Sequence, residues 1–145
     1  MAIDTLRFSK LRGEAIIPTR KHPQDAGLDL YAAESKTLEP HQMGILATGI
    51  AVDLPDGYVG LVMSKSRNNF LLGGGVVDAG YQGEILVKVF NVTVTELEIQ
   101  AGQAIAQLLI LPIETPETEA VPIGNLFLTE SERGQSGGIA SQNEL

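Results

Sequence analysis

Short apolar runs, separated by turn-forming residues roughly every eight to twelve positions, dominate the pattern of the chain. In EILVKVFNV (84 to 92), Ile85, Val87 and Val89 fall on one face, which is the period of a β-strand. No segment carries an amphipathic helical stripe with capping residues. The pattern predicts an all-β fold of one domain, a β-barrel or a jelly-roll-like sandwich, with at most a one-turn helix or two.

The run AIAQLLILPI (104 to 113) is apolar on both faces, which predicts a central strand or one packed against another subunit. Gln107 interrupts it and, on strict alternation, shares a face with Ile105 and Leu109. A buried amide without a partner costs about 1–3 kcal/mol, so Gln107 must bond to a neighbouring backbone group or to a ligand.

From Thr129 onward the chain is polar and rich in glycine. This composition predicts a β domain over residues 1–128 and a flexible C-terminal arm over residues 129–145. The arm is either a disordered terminus or a mobile segment that closes over a ligand, with Arg133 as its charged tip.

Composition excludes several classes of function. The chain has 145 residues, 43% of them hydrophobic, no cysteine, ten Lys plus Arg and a net charge of −8. Scattered cations in an acidic chain argue against a nucleic-acid partner, and cysteine chemistry is excluded. No long apolar run and no leader are visible, so we expect no membrane partner and a cytoplasmic location.

The stretch GGGVVDAGYQGE (73 to 84) places Asp78 after two β-branched residues and among glycines. By itself it predicts a hairpin turn, because Asp is favoured at the first position of a turn and Gly at later ones.

Five stretches stand out along the chain: DAGLDLYAA (25 to 33), SKSRNNF (64 to 70), GGGVVDAGYQGEILVKVFN (73 to 91), GQAIAQLLI (102 to 110) and ERGQSGGIAS (132 to 141). Read in this order, they resemble the motifs of the homotrimeric dUTPases. The resemblance implies the dUTPase-like β-clip fold and a homotrimer with shared active sites. It also implies hydrolysis of dUTP to dUMP and pyrophosphate by attack of water on the α-phosphorus, with Mg²⁺ as cofactor.

The resemblance also implies roles for individual residues. Asp78 would orient and deprotonate the water, and Asp29 would hold a water of the triphosphate-bound Mg²⁺. Tyr81 would pack against the deoxyribose and exclude a 2′-hydroxyl. The backbone of Gly75, Val76 and Val77 would read uracil.

The phosphates would be held by residues from three of the motifs. Lys65 and Ser66 form the phosphate pair, and Gln107 would donate its amide to a phosphate oxygen. Arg133 would reach the γ-phosphate from a neighbouring subunit, and Ser141 matches the serine that ends the fifth motif.

Three departures from the family pattern stand out. RNNFLL follows Lys65 and Ser66 where a small residue and Leu-Ala are usual, so Arg67 supplements or replaces Lys65 as the phosphate cation. Leu72 lies near the place of an Asn found in some members. Ile139 or Gly138 stands where the arm of the family carries an aromatic ring. We therefore expect weaker closure of the arm over the ligand, with slower turnover or an altered substrate preference.

Two alternatives accompany this interpretation. A dCTP deaminase shares the fold, but its catalytic Glu lies ten positions after the Asp, where this chain has Lys88. A non-catalytic nucleotide-binding or regulatory protein on the same scaffold is the other alternative.

Overall fold

The computed structural model describes residues 3–134, and its regular structure is almost entirely β-strand. The strands are β1 (Arg7–Lys10), β2 (Leu28–Tyr31), β3 (Lys36–Leu38), β4 (Met43–Ala47), β5 (Ile50–Asp53), β6 (Tyr58–Met63), β7 (Leu71–Leu72), β8 (Gly75–Val77), β9 (Leu86–Phe90), β10 (Leu97–Ile99) and β11 (Ala104–Pro112). The single helix among these residues is the one-turn α1 (Ile123–Leu126). Among residues 3–134, therefore, no helix is long and apolar enough to cross a membrane.

The strands form four antiparallel sheets. Their orders are β1-β5, β10-β3, β2-β11-β6-β8 and β4-β9-β7. Antiparallel sheets with one buried face pack as sandwiches, and within the described residues no sheet closes on itself as a barrel. The predicted all-β, sandwich-like architecture is confirmed.

Strand β9 shows why these sequences form sheets. Val87 and Val89 are each 1% exposed, whereas Lys88 between them faces solvent. Alternation with period two places one face in the core, and the predicted face is the one that is buried. The remaining large fully buried aliphatic side chains come from six other strands: Leu30, Leu38, Leu46, Ile50, Ile99, Ile105 and Leu108.

Strand β11 is central, as predicted, with β2 on one side and β6 on the other. Its pairing with β2 shifts register between Ala104 and Ala106, so Ile105 is an extra residue in the strand. Both Ile105 and Ala106 are fully buried. The expectation that Gln107 shares a face with Ile105 was wrong, because the β-bulge breaks simple alternation at that point.

The chain separates into two compact units, Met1–Glu114 and Thr115–Leu145. The first contains all eleven strands, and the described part of the second contains α1. The arm predicted from residue 129 begins inside the second unit, and residues 135–145 lie outside the described residues. The boundary at residue 128 stays a prediction.

Asn91 organises the end of the β4-β9-β7 sheet. Its side chain is fully buried and donates to the carbonyl oxygens of Leu38 (3.1 Å), Glu39 (3.2 Å) and Thr95 (2.8 Å). Its Oδ1 accepts from the backbone N–H of Thr93 at 3.0 Å. All the hydrogen-bonding capacity of one buried amide is therefore used to join the connection after β3 to the connection between β9 and β10.

We expect Asn91→Leu to lower the free energy of unfolding by about 2–4 kcal/mol, because several backbone groups lose a partner. Urea unfolding at one fixed protein concentration measures the change. Asn69→Leu, at an exposed loop position, is the control and should change stability by less than about 0.5 kcal/mol. Equal stabilities for the two variants would contradict the role given to Asn91.

Candidate functional site

A cavity of about 610 Å³ opens where β2, β11 and β6 meet. Gln107 pairs with Asp29 on one neighbouring strand and with Met63 on the other. Because paired residues lie at the same level of a sheet, the residues that follow Met63 meet Asp29 and Gln107 there. Five predicted site residues line this cavity together: Asp29, Lys65, Ser66, Arg67 and Gln107.

The Lys65 ammonium forms an ion pair with the Asp29 carboxylate. Both side chains are largely enclosed, with exposures of 24% for Lys65 and 17% for Asp29. Two residues assigned to different motifs are thus in direct contact. An enclosed cation and carboxylate attract each other more strongly than a solvated pair.

The Gln107 side chain donates from Nε2 to the backbone carbonyl of Ser64 at 2.8 Å. Its partner in this structure is therefore backbone, one of the two possibilities left open by the sequence. Gly27 packs against it so closely that a Cβ at position 27 would lie 2.3 Å from Gln107 Oε1. Only glycine fits at position 27 with the amide in this place.

Asn68 was missed by the sequence analysis. Its backbone N–H bonds to the carbonyl of Lys65 at 3.1 Å and closes a turn. Its side chain donates to the carbonyl oxygens of Ala104 (3.3 Å) and Ile105 (3.2 Å). The turn that carries Lys65, Ser66 and Arg67 is thereby fastened to β11. One indication of its importance was visible in the sequence: Asn68 belongs to RNNF (67 to 70), the stretch that departs from the family motif.

The segment before β2 adds a further group that the sequence analysis missed. Lys21 lines the cavity, and its segment is tied to β2 by the bond from Asp29 N–H to the Thr19 carbonyl at 2.7 Å. The Thr19 and Tyr31 hydroxyls are 2.5 Å apart. Among residues 3–134, three cationic side chains line the cavity and Asp29 is the one carboxylate that does. In a chain of net charge −8 this is a local site for a polyanion.

The residues that line this cavity also decide what kind of metal ion it could hold. No cluster of three or more His, Cys, Asp or Glu that could hold a metal occurs among residues 3–134. One carboxylate beside a cationic cavity fits a Mg²⁺ ion that takes most of its ligands from phosphate and water. It does not fit an ion bound by protein groups alone.

Asp78 begins a tight turn after β8. The Tyr81 N–H bonds to the Asp78 carbonyl at 3.0 Å, so a tight turn is present, and the carboxylate stands exposed on it. The predicted hairpin was wrong, because β8 pairs with β6 whereas the next strand, β9, pairs with β4 and β7. A smaller cavity of about 150 Å³ lies beside this turn. It is lined by Gly75, Val76, Val77 and Tyr81 together with Val62 and residues 84–86.

The two cavities lie at different places on the central sheet. Val77 pairs with Gly60, so Asp78 follows at the level of Val59, whereas Gln107 pairs with Met63. Four residues of β6 separate these levels, which is about 13 Å along the strand. Asp78 is not among the described residues that line the larger cavity.

Two predicted site residues remain, both from the C-terminal part of the sequence. Arg133 belongs to the second unit, in a turn closed by the bond from the Gly134 N–H to the Ser131 carbonyl at 3.1 Å. Ser141 lies outside the described residues.

Comparison with known sequences and comparison with solved structures point to the same kind of protein. A deoxyuridine 5′-triphosphate nucleotidohydrolase of Mycolicibacterium vanbaalenii is 38% identical over 141 residues, covering 92% of each chain. One of Corynebacterium diphtheriae is 40% identical over 137 residues, covering 90% of this chain and 88% of the relative.

Among solved structures, a mutant dUTPase of Staphylococcus bacteriophage 80alpha with dUpNHpp superposes with a TM-score of 0.87 and 31% identity. The match covers 96% of this chain and 99% of the phage chain. A mutant dUTPase of phage phi11 of S. aureus, described with a structural Mg(II) ion, has a TM-score of 0.78 and 31% identity and covers 81% and 97%. Residues 13–141 match the family model for dUTPase. The chain therefore belongs to the dUTPase family.

Proposed function

We propose that this dUTPase, a nucleotide hydrolase that converts dUTP to dUMP and pyrophosphate, works at sites that copies of the chain share. Asp78 of one copy faces the phosphate cavity of another. The observation that carries the proposal is the separation of about 13 Å along β6 between the level of Asp78 and that of Gln107. Within one chain the proposed base stands too far from the proposed phosphate site.

The triphosphate binds in the cavity lined by Lys65, Ser66 and Arg67. Lys65 is the principal cation, because it is enclosed beside Gln107, and it exchanges the Asp29 carboxylate for phosphate oxygens. Arg67, which is exposed, supplements it with a planar fork of donors. The Gln107 amide turns from the Ser64 carbonyl to a phosphate oxygen.

Asp78 accepts a proton from the attacking water as the water oxygen bonds to the α-phosphorus. The bond from the α-phosphorus to its bridging oxygen breaks, and the electron pair leaves on pyrophosphate. The cavity cations and Arg133, delivered from a neighbouring copy, neutralise the charge that develops there.

A Mg²⁺ ion on the triphosphate would supply charge neutralisation. Asp29 is the residue that would hold it, through a metal-bound water. This role becomes available when Lys65 moves from Asp29 to the phosphates. The pair thus links phosphate binding to metal binding through one carboxylate.

The smaller cavity receives the base and the sugar. Backbone groups of Gly75, Val76 and Val77 read uracil, and a fixed donor and acceptor pattern rejects cytosine because mismatched polar groups go unpaired. The Tyr81 ring packs against the deoxyribose. Glycine at position 75 lets the backbone approach the ligand closely.

A homotrimer accounts for the largely apolar outer face of the β4-β9-β7 sheet. The exposed apolar side chains on it are Met43, Ile45, Leu71, Leu86 and Phe90, between 37% and 60% exposed, and Lys88 is the charged side chain exposed among them. Contiguous exposed apolar surface is characteristic of protein interfaces, so it supports assembly of copies of the chain. We place this assembly in the cytoplasm, with its nucleotide substrate.

We expect Asp78→Asn to lower kcat for dUTP by a factor of about 10²–10⁴, because an amide cannot take the proton from water. Binding of a non-hydrolysable dUTP analogue should persist. Pyrophosphate release and calorimetry measure the two quantities, with Asp56→Asn in an exposed turn as the control. A folded Asp78→Asn protein with kcat within about threefold of the original would contradict the role of Asp78.

Mixing two inactive variants tests the shared site. When Asp78→Asn chains are refolded with an equal amount of Lys65→Met/Arg67→Met chains, each half of a site comes from the intact copy with a chance of one half. About one quarter of the original activity should therefore return. Mixed chains as inactive as either variant alone would show that one copy supplies both halves.

Gly27→Ala should raise KM for dUTP by about tenfold with a smaller change in kcat, because the new methyl group displaces the Gln107 amide from the phosphate site. Gly13→Ala is the matched control, since a Cβ there meets no atom within 4 Å. Steady-state kinetics of both variants measure KM and kcat for dUTP. An unchanged KM in Gly27→Ala would remove Gln107 from the phosphate site.

A further inference from the structure

Tyr81 is held in place by the loop that follows it. Its hydroxyl donates to the backbone carbonyl of Glu84 at 2.6 Å. Its ring lies over Gly83 so closely that a Cβ there would be 2.7 Å from the hydroxyl oxygen. The orientation of the ring therefore depends on where the backbone of residues 83 and 84 lies.

The Glu84 carboxylate fixes that backbone, and both of its oxygens are engaged. Oε2 accepts from the Gly49 N–H at 3.3 Å, and Oε1 lies 3.6 Å from the Arg12 guanidinium. The Glu84 side chain is only 19% exposed, so these contacts are partly shielded from water. Arg12 is itself held by Glu34, with Nη1 donating to Oε2 at 3.2 Å.

Gly49 is rigid at this point. Its φ is +68°, and a Cβ would lie 2.8 Å from the Cβ of buried Ala15. Its carbonyl accepts from the Leu11 N–H at 2.7 Å. The N–H that reaches Glu84 thus comes from a backbone position fixed by the same N-terminal segment that carries Arg12.

We propose that Glu84, clamped by Arg12 and the Gly49 N–H, is a positioning residue that sets the selectivity of the enzyme for deoxyribose over ribose. The inference rests on the proposed function, in which the Tyr81 ring packs against the sugar. A ring held in one place excludes a 2′-hydroxyl, whereas a ring free to move by a fraction of an ångström admits it. The N-terminal segment thereby contributes to sugar recognition without touching the substrate.

The test compares kcat/KM for dUTP and for UTP with Mg²⁺ in the full-length assembled protein. Glu84→Ala should raise the UTP to dUTP ratio about tenfold, since misplacement of a contacting group by about 1 Å has effects of this size or larger. Glu84→Gln should raise it less, because the amide oxygen still accepts from the Gly49 N–H. The ratio for Arg12→Met should lie between the ratios for the original protein and for Glu84→Ala. The control Glu96→Ala, at an exposed position, should leave the ratio unchanged.

A double variant separates positioning from general loss of stability. Tyr81→Phe should raise the same ratio, and Glu84→Ala/Tyr81→Phe should raise it no further, because both changes act through one ring. Equal losses for dUTP and UTP in Glu84→Ala, or additive effects in the double variant, would overturn the inference. If Glu84→Ala does not fold, the ratios for Glu84→Gln and Arg12→Met decide it. Absence of dUTP hydrolysis by the original protein would instead overturn the proposed function.

Discussion

The site depends on the register of β11 between its two neighbours. Gln107 lies level with Asp29 on β2 and with Met63 on β6, so three segments far apart in the chain meet at one point. A slip of one residue would turn every β11 side chain to the opposite face and remove Gln107 from the cavity. The burial of Leu108 and Ala106 fixes the register from the other face. Core packing and site geometry are thus set by the same pairing.

Electrostatics adds the second requirement, because an acidic chain must concentrate cations where a triphosphate binds. Lys21, Lys65 and Arg67 line one cavity, and Asp29 is the one carboxylate among the described residues that line it. The ion pair between Lys65 and Asp29 keeps the most enclosed cation in place before substrate arrives. In the proposed mechanism the same carboxylate would hold a metal-bound water once the cation turns to phosphate, so the two residues would serve both the empty and the loaded cavity.

Much of the fold was predictable from sequence, since period-two alternation in β9 and the two-faced apolar character of β11 follow from local chemistry. The bulge at Ile105 was not predictable, because it arises from pairing with β2. The run is apolar on both faces, so the sequence pattern does not show where the alternation of faces breaks. The ordered motifs identified Asp29, Lys65 and Gln107, which the structure brings together. Asn68, Lys21 and the clamp on Glu84 were missed, because each acts through contacts between segments distant in sequence. The roles of Arg133 and Ser141 stay predictions.

The most direct measurement is a crystal structure of the assembled protein with a non-hydrolysable dUTP analogue and Mg²⁺. We expect phosphates bound by Lys65 and Gln107 of one copy, and the Asp78 carboxylate of another copy within hydrogen-bond distance of a water in line with the α-phosphorus. If Lys65, Gln107 and Asp78 of the same chain all contacted one nucleotide, the shared site would be contradicted.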